Sequence, residues 1–482
     1  MTQGKSLPVA VIGAGPVGLA AAARLVERGM TPMVFELGPI AGATVSRWSH
    51  VRVFSPWRYN IDASARALLE SRGWEAPDAD HLPTGGELIR DYLAPLAAHP
   101  GIAPHLKLGA EVVSVSRKDR SKLVSEGREE SPFVVVWRDG NGIRHRELVR
   151  AVIDASGTWV KPNPIGVDGL AVDGESETIC NIAYGIPDVK GAARQRYEGR
   201  HTLVVGAGHS AINAVLDLVD LQEDAPQTRI TWATRAGGIS RLLGGGLNDD
   251  LPGRGRLGLR SVEAIRAGRV DLKSPFSIRR IRNLEETMLV EALHGEQPVE
   301  IGVDRIIVAT GFRPDLSILS ELRLSLDPAV EATPALAPLI DPNLHSCGTV
   351  RPHGVTELTH PEKDFYIVGS KSYGRAPTFL MTTGYEQVRS VVAELAGDHL
   401  AAREVHLVLP ETGVCKSEPA ESSVSCCGAG GVSESAGEAG CCGGAPLKND
   451  DACCLKDEQA KGEGQAGCGC GTAGQLAEPV PV

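Results

Sequence analysis

The sequence predicts an α/β fold with two Rossmann-type, doubly wound, three-layer dinucleotide-binding domains, the second inserted in the first, and a disordered Cys-rich C-terminal tail. Two glycine fingerprints carry this prediction; the first begins at Gly13 and the second at Gly206. Each follows a β-branched apolar run and opens a helical pattern, and this strand–turn–helix context makes a glycine motif specific. The tail is predicted from composition, because Gly, Ser, Ala, Glu and Cys dominate after Glu411.

The first fingerprint, GAGPVG, predicts a site for FAD. Gly13 permits the tight turn after the strand, Gly15 lets the backbone approach a pyrophosphate, and Gly18 lets helix and strand pack closely. The next predicted strand ends in Glu36, at the position where an acid accepts hydrogen bonds from a ribose. All the spacing elements of a dinucleotide site are therefore present.

The second fingerprint, GAGHSA, predicts a second nucleotide site. It ends in Ala211 where the motif more often has glycine, a substitution that the fingerprint tolerates. The following strand ends in Thr234 and Arg235 instead of an acid. A guanidinium at this position favours a 2′-phosphate, so the sequence predicts NADPH over NADH. The alternative is that Arg235 is a solvated surface charge.

These motifs divide the chain into four segments. Buried strand patterns at 304–310 and 365–369 are expected to return to the FAD site, where they place Gly311 and Gly369. The predicted domains are the first part of the FAD-binding domain (1–164), the NADPH-binding domain (165–302), the second part of the FAD-binding domain (303–402) and the disordered tail (403–482).

Composition excludes several classes of function. Lys and Arg number 49 against 60 Asp and Glu, and the net charge of -11 argues against a nucleic-acid-binding surface. No apolar run approaches the roughly 20 residues that span a bilayer, so no membrane segment is predicted. The amino-terminal stretch does not match a signal peptide, because a glycine fingerprint interrupts it. A cytoplasmic location is expected, and the oligomeric state stays open.

Cysteines are concentrated in the tail. The chain has 11 cysteines, and residues 1–414 contain only Cys180 and Cys347 and no Cys-x-x-Cys motif, which disfavours a dithiol reductase. Adjacent cysteines strain a disulfide between them but suit a shared soft ion. The alternative is a low-complexity tail with incidental cysteines. The predicted metal- or arsenic-binding residues are Cys426, Cys427, Cys441, Cys442, Cys453, Cys454, Cys468 and Cys470.

Four motifs together resemble the flavin-containing monooxygenase branch of two-dinucleotide flavoproteins. They are the first fingerprint, the second with its Ser210, the sequence ASGTW at 155–159 and the sequence ATG at 309–311. The identifying Phe-x-Gly-x-x-x-His motif of that branch is absent. Two further segments, FSPW and KSYGRAPTFL, are similar to those of a flavin monooxygenase group encoded in bacterial arsenic-resistance operons.

The resemblance implies FAD, NADPH, O₂ and a trivalent arsenical as the reacting molecules. Arsenite or a methylarsenite would be oxidised to the pentavalent form through a flavin hydroperoxide, a reaction of arsenic detoxification, and the tail would capture the arsenical and deliver it. Two alternatives stay open. One is an NADPH-dependent flavin reductase or oxidase that passes electrons to a carrier or to O₂. The other is a non-catalytic flavoprotein that binds arsenic or another metal.

Candidate residues follow from the motifs and from the resemblance. No side-chain nucleophile is required, and none is predicted. The candidate cofactor-binding residues are Gly13, Gly15, Pro16, Gly18, Glu36, Trp48, Val113, Ser156, Gly157, Gly206, Gly208, His209, Ser210, Arg235, Thr310, Gly311, Gly369 and Gln387. The candidate pocket residues, each also compatible with simple core packing, are Trp48, Phe54, Trp57, Cys347 and Tyr373. Structural roles are expected for His353 and His360.

Overall fold

The computed structural model describes residues 7–236, 252–285, 287–343, 350–377 and 379–407. All of these belong to one compact unit, Met1–Glu418, and the second unit, Pro419–Val482, lies outside the described residues. The predicted pocket residue Cys347 and all eight predicted metal-binding cysteines of the tail also lie outside them.

The central strands of the two parallel sheets are short and almost fully buried, whereas the strands of the two antiparallel ribbons have one more exposed face. In the described part of the chain the strands are β1 (Val9–Ile12), β2 (Pro32–Glu36), β3 (Leu106–Leu108), β4 (Glu111–Arg117), β5 (Phe133–Arg138), β6 (Arg144–Val149), β7 (Ala151–Asp154), β8 (Ile182–Tyr184), β9 (His201–Val205), β10 (Arg229–Ala233), β11 (Asp271–Lys273), β12 (Phe276–Leu284), β13 (Thr287–His294), β14 (Gln297–Val303), β15 (Arg305–Val308) and β16 (Phe365–Ile367).

The described part of the chain has four long helices and several short ones of one or two turns. The helices are α1 (Pro16–Glu27), α2 (Ala43–Ser46), α3 (Ala63–Glu70), α4 (Gly85–Leu88), α5 (Ala94–Ala97), α6 (Arg194–Tyr197), α7 (His209–Asp224), α8 (Pro252–Arg266), α9 (Ala337–Ile340), α10 (Val355–Leu358), α11 (Met381–Leu395) and α12 (His399–Arg403). None of the described helices has the length and apolar character needed to cross a lipid bilayer.

The first sheet is parallel, with strand order β16-β7-β1-β2-β3. Helices α1 and α11 pack against each other beside it, and their apolar residues form the largest core cluster. Between β3 and β7 the chain forms an antiparallel ribbon of β4, β5 and β6. Because every strand of the sheet runs in the same direction, their carboxyl ends share one edge, the usual place for a ligand in such a fold.

The second sheet repeats this plan. Its parallel strands follow the order β11-β10-β9-β15-β8, and a second antiparallel ribbon of β12, β13 and β14 precedes β15. Helix α7 contacts both β9 and β10, and α8 packs against α7. The predicted α/β fold with two Rossmann-type units is therefore confirmed.

One predicted boundary is wrong. The segment from 303 onward was assigned to the FAD-binding domain, but β15 pairs in parallel with β9 and β8 in the second sheet. The second domain therefore continues at least to Val308, and only β16 returns to the first sheet. A buried apolar strand pattern does not show which of two similar sheets it joins, which explains the error.

Candidate functional site: two dinucleotide cradles

The turn between β1 and α1 has the shape that a pyrophosphate requires. Gly13 has a φ of 97°, and a Cβ atom there would lie 2.7 Å from the carbonyl oxygen of Ala155. A Cβ at Gly18 would clash with the carbonyl of Gly13. In contrast, nothing lies within 4 Å of a Cβ built on Gly15, which precedes the first residue of α1, Pro16. This open space at a helix N-terminus fits an anionic group.

Glu36 lies at the carboxyl end of β2, as the sequence predicts, and is almost fully buried. Its Oε2 accepts a hydrogen bond of 2.7 Å from the amide of Ala14, and its Oε1 accepts one of 2.9 Å from the amide of Gly38. Burial raises the pKa of the Glu36 carboxyl, although the two hydrogen bonds from the backbone amides of Gly38 and Ala14 lower it. The carboxylate thus holds the glycine turn, and each oxygen keeps a lone pair for a ribose hydroxyl.

Val113 lies in an irregularity of the first ribbon. The pairing of β4 with β5 shifts register between Val112 and Ser114, so Val113 has no partner residue on β5. A bulge of this kind leaves the backbone groups of the extra residue unpaired with the neighbouring strand. The bulge therefore makes the Val113 backbone available to a ligand such as an adenine ring.

The turn between β9 and α7 repeats the arrangement of the turn between β1 and α1. We call the turn that contains Gly13 and Gly15 the first cradle and the turn that contains Gly206 and Gly208 the second cradle. Gly206 has a φ of 132°, and a Cβ there would clash with the carbonyl of Ala309. Nothing lies within 4 Å of a Cβ built on Gly208, which precedes α7. The Trp232 indole donates a 2.7 Å hydrogen bond to the Gly206 carbonyl, and the buried Ala211 replaces the third glycine. This cradle is also open where a pyrophosphate would bind.

Thr310 and Gly311 lie at the second cradle, because they follow β15 in the second sheet. The Thr310 hydroxyl donates to the carbonyl of Asn163, and the side-chain nitrogen of Asn163 donates back to the Thr310 carbonyl. The sequence predicts that Gly311 belongs to the FAD site. This prediction is wrong, because Gly311 follows β15, which pairs with β9 in the second sheet. Gly311 corresponds in the second sheet to Gly157 in the first.

Arg235 and His209 flank the second cradle. Arg235 follows β10 and is exposed, and Ser210 lies beside His209 in the first turn of α7. The His209 ring packs on Phe54, with 5.2 Å between the ring centroids. Burial, together with the charge of Arg254, lowers the pKa of His209 to about 4. His209 is therefore neutral at pH 7, so it adds no charge to the helix N-terminus.

Ser156, Gly157 and Gly369 lie together at the carboxyl edge of the first sheet. β7 and β16 are adjacent parallel strands, and the turns that follow them contain Gly157 and Gly369, each with a φ of 70°. The Ser156 hydroxyl donates a 2.6 Å hydrogen bond to Oδ1 of Asp154. The structure thus brings these predicted residues to one place.

Gln387 supports the Gly369 turn from α11. Its side chain is 0% exposed; its oxygen accepts a 2.7 Å hydrogen bond from the Gly369 amide, and its nitrogen donates to Ser372 and to Nε2 of His353. His353 in turn bonds through Nδ1 to the Arg351 carbonyl, and burial lowers the pKa of its imidazole. These contacts assign positioning roles to both side chains.

Three aromatic side chains connect the two sheets. Trp48 stacks on Trp159 with 6.2 Å between centroids, and Trp159 stacks on Phe312 with 4.4 Å between centroids. Trp48 lies in the chain after β2, Trp159 follows the turn after β7, and Phe312 follows β15. This aromatic stack (Trp48, Trp159, Phe312) therefore bridges the segments that follow strands of the first and second sheets.

Two predicted pocket residues are core residues instead. Trp57 is 1% exposed and Tyr373 is 2% exposed, and both belong to the core cluster beside the first sheet. Phe54 and Trp48 are half-buried and lie next to the cradles. Within the described ranges, no three His, Cys, Asp or Glu side chains are grouped to hold a metal ion, and the tail cysteines lie outside those ranges.

Sequence reasoning did not identify Trp159, Phe312, Asp154 or Lys371 as site residues. Trp159 ends the ASGTW motif, so the motif itself carried a signal for it. Lys371 and Asp154 form a buried ion pair across 217 positions of sequence. No local pattern predicts a contact over that separation.

Comparisons with known proteins agree with this geometry. The model of the family described as pyridine nucleotide-disulphide oxidoreductase matches residues 7–361. Ferredoxin–NADP reductase of Streptococcus thermophilus is 22% identical over 317 residues, which are 65% of this chain and 75% of that reductase. Ferredoxin–NADP reductase of Thermus thermophilus is 23% identical over 247 residues, which are 49% of this chain and 60% of that reductase.

Solved structures share the fold at low sequence identity. Bacillithiol disulfide reductase Bdr from Bacillus cereus has a TM-score of 0.59 and 18% identity, and covers 81% of this chain and 99% of its own. Ornithine hydroxylase from Pseudomonas aeruginosa has a TM-score of 0.55 and 14% identity, and covers 82% of this chain and 99% of its own. Together with the two cradles, the family match shows that this chain belongs to the pyridine nucleotide-disulphide oxidoreductase family and is a flavin-dependent NAD(P)H oxidoreductase with FAD and NAD(P)H as cofactors.

Proposed function

We propose that this chain is an NADPH- and FAD-dependent monooxygenase that oxidises a trivalent arsenical, arsenite or a methylarsenite, to the pentavalent form. The observation that supports oxygen chemistry is that the chain has two dinucleotide-binding turns but no closely spaced cysteine pair between residues 1 and 414. Residues 1–414 contain only two cysteines, and Cys180 is exposed on the turn before β8, at the edge of the second sheet. A reductase of disulfides requires a redox-active cysteine pair beside the flavin, so O₂ is the favoured electron acceptor.

The chain's own residues bind and orient the two cofactors. Bound FAD supplies the electron transfer and the oxygen chemistry. In the first cradle, Gly15 and the N-terminus of α1 bind the pyrophosphate, Glu36 accepts hydrogen bonds from the ribose, and the Val113 bulge binds the adenine through backbone groups. In the second cradle, Gly208 and the N-terminus of α7 bind the pyrophosphate of NADPH.

The aromatic stack and Phe54 keep water from the reacting groups. Trp48, Trp159 and Phe312 present ring faces at the junction of the two sheets, and Phe54 covers His209 at the second cradle. Exclusion of water would suppress side reactions at the bound flavin and favour reaction with the substrate. Trivalent arsenic carries a lone pair and acts as the nucleophile, so no side-chain nucleophile is needed.

We assign the preference for NADPH to Arg235, which is exposed directly after β10. Replacing Arg235 with Ala is expected to raise KM for NADPH by about tenfold and to leave KM for NADH nearly unchanged, since only NADPH carries the 2′-phosphate. Arg229→Ala is the matched control, because Arg229 is an exposed arginine at the opposite end of the same strand. Equal effects of Arg235→Ala on both coenzymes would contradict the assignment.

The cysteine pairs of the tail support a soft substrate. Trivalent arsenic prefers thiolate ligands, as soft ions do. The pairs bind such an ion only as reduced thiols, the state that the cytoplasm maintains, so the proposal includes a cytoplasmic location. A chain lacking residues 411–482 is expected to lose most of its arsenite-binding capacity by equilibrium dialysis and to keep FAD binding and NADPH oxidation.

The ferredoxin–NADP reductases among the relatives favour a second candidate function. A flavin reductase would take electrons from NADPH and pass them to a protein carrier or to O₂, with no oxygen transferred to a substrate. A third candidate, a flavoprotein that only binds arsenic or another metal, predicts tight arsenite binding with almost no turnover.

Product analysis separates these three functions. The FAD-loaded full-length chain is incubated with NADPH, O₂ and arsenite or methylarsenite, and NADP⁺, hydrogen peroxide and pentavalent arsenic are quantified. A monooxygenase forms one pentavalent arsenic per NADPH oxidised. NADPH oxidation that yields hydrogen peroxide alone, or that proceeds only with an added carrier, would contradict the proposed function.

A further inference from the structure

The carboxyl edge of the first sheet contains a buried ion pair that cofactor binding alone does not explain. Nζ of Lys371 lies 2.7 Å from Oδ2 of Asp154, and the two side chains are 1% and 0% exposed. The ammonium also donates a 3.0 Å hydrogen bond to the Ser156 hydroxyl. Ser156 donates to Oδ1 of Asp154 through both its amide and its hydroxyl. Both charges are therefore fully engaged with each other and with Ser156.

Stability is a weak reason for such a pair. Removing two charges from water costs about as much as their attraction returns, and apolar replacements of similar volume are often neutral or stabilising. The pair is nevertheless placed at the end of β7 and in the turn after β16, inside a core of apolar strands. Its position at the carboxyl edge of the first sheet, in contact with Ser156, thus indicates a role in the site.

The pair lies beside two turns at the carboxyl edge of the first sheet. Asp154 precedes Ser156 and Gly157, and Lys371 follows Gly369 by two positions. The Ser370 hydroxyl lies 3.6 Å from a Cβ built on Gly157, so the two turns adjoin. A Cβ at Gly13 would meet the Ala155 carbonyl, which places the glycine fingerprint against the same segment.

We propose that the Lys371–Asp154 pair sets the reduction potential of the flavin by holding one positive and one negative charge in balance next to the turns that would bind FAD. Hydride transfer from NADPH moves two electrons and one proton to the flavin, which gains one negative charge while the nicotinamide gains one positive charge. In a low-dielectric interior, an unbalanced charge nearby changes the energy of that added negative charge strongly. The inference rests on FAD binding in the first cradle, as proposed above.

Two single variants, each of which removes one of the two opposite charges, test the proposal. Asp154→Asn leaves an unbalanced cation and is expected to shift the midpoint potential of the flavin to a more positive value. Lys371→Met leaves an unbalanced anion and is expected to shift it to a more negative value. Each shift is expected to change the ratio of reduced to oxidised flavin by about tenfold at a fixed ratio of NADPH to NADP⁺. The double variant is expected to return close to the wild-type potential.

The matched control is Arg375→Met, which removes a cation from the same segment. Arg375 pairs with Glu331 at 2.9 Å, but both side chains are solvent-accessible, so water screens the change and no shift in potential is expected. If one single variant does not fold, the other single variant and the double variant still test the proposal, because the first must shift the potential in its stated direction and the second, which leaves no buried charge, must return it.

An ion pair that only stabilises the fold would give a different result. Both single variants would then weaken FAD binding and lower the thermal midpoint without opposite shifts in potential. Shifts of the same sign, or no larger than that of Arg375→Met, would overturn the proposal. A wild-type chain that binds no FAD would instead contradict the proposed function.

Discussion

In both fingerprints, one glycine faces open space while its neighbour contacts backbone. A Cβ on Gly15 or Gly208 meets no atom within 4 Å, whereas a Cβ on Gly18 or Gly206 would clash with a carbonyl oxygen. The fold therefore requires the flanking glycine but leaves room for a side chain at the middle one, where we propose that a ligand binds. The sequence motif predicts these separate roles, and the structure shows the open space and the close backbone contacts on which they depend.

Gly208→Ala tests the role of the open glycine. The added methyl group has room in the protein but occupies the space of the pyrophosphate, so KM for NADPH is expected to rise by about tenfold or more, a loss of roughly 1.4 kcal/mol. The thermal midpoint is expected to stay unchanged. Steady-state kinetics and calorimetry measure the two effects.

Gly140→Ala is the control for this substitution. Gly140 also has open space at its Cβ position, but it lies in an exposed turn of the first ribbon. Neither KM nor the thermal midpoint is expected to change. A fall in thermal midpoint for Gly208→Ala with unchanged KM would show that Gly208 serves the fold and not the coenzyme.

His360 couples stability to pH. Its ring is buried, Nδ1 accepts a hydrogen bond from the Ser325 amide, and burial lowers the pKa of the imidazole to about 4. An unfolded histidine titrates near 6.5, so the unfolded chain binds the proton more readily as pH falls. The contribution of His360 to stability is therefore complete above about pH 6.5 and is lost as pH falls toward 4, by about 3 kcal/mol.

His360→Phe is expected to flatten this dependence. The difference in thermal midpoint between pH 7.5 and pH 5 should become smaller than in the wild type, whatever the effect of the substitution at pH 7.5. The exposed His399→Gln is the control and should leave the difference unchanged. An unchanged difference in His360→Phe would mean that other groups carry the acid sensitivity.

At the scale of elements, buried polar caps stabilise short helices that propensity alone would not. Asp62 begins α3 and accepts hydrogen bonds from the amides of Ser64 and Ala65, at 2.9 and 3.0 Å. It is also paired with Arg24 of α1 at 2.7 Å, with its own side chain fully buried. This residue therefore caps one helix and joins it to another.

Asp62→Ala is expected to lower the free energy of unfolding by about 3 kcal/mol, because it removes a cap and leaves Arg24 without its partner. Asp398 provides a matched control: it caps α12 through the Ala401 amide and pairs with Arg28 at 3.0 Å, but at the surface. Asp398→Ala is expected to cost much less, because water screens the exposed pair with Arg28. Equal costs in urea unfolding would contradict the importance of burial.

The sequence predicts the elements that carry strong local signals and misses those that depend on distant partners. The strand–turn–helix units around Gly13 and Gly206 are predicted correctly, because glycine spacing and apolar runs are local. β12 and β14 are missed, since exposed polar and charged residues interrupt their apolar pattern. The Lys371–Asp154 pair is missed because its members are remote in sequence.

At the scale of the whole molecule, the two sheets are near copies of one plan. In each, a central strand carries the fingerprint, an antiparallel ribbon follows the outer strand, and the chain then returns to the other side of the fingerprint strand, as β7 in the first sheet and β15 in the second. Segments after these returning strands supply Trp159 and Phe312 to the aromatic stack. The stack therefore joins corresponding segments of the two sheets.

Trp159→Ala tests this coupling between the units. Loss of the central ring removes both stacking contacts, each of about 0.5–1.5 kcal/mol beyond burial, and frees the two sheets to move relative to each other. The rate of flavin reduction by NADPH in anaerobic stopped-flow is expected to fall by about tenfold, because hydride transfer needs close alignment of donor and acceptor. The dissociation constants of FAD and NADPH, measured by titration, are expected to change much less. Trp159→Phe keeps an aromatic face between Trp48 and Phe312 and should restore most of the rate. A loss of FAD affinity as large as the loss of rate would show that the stack serves the first cradle alone and not the alignment of the two.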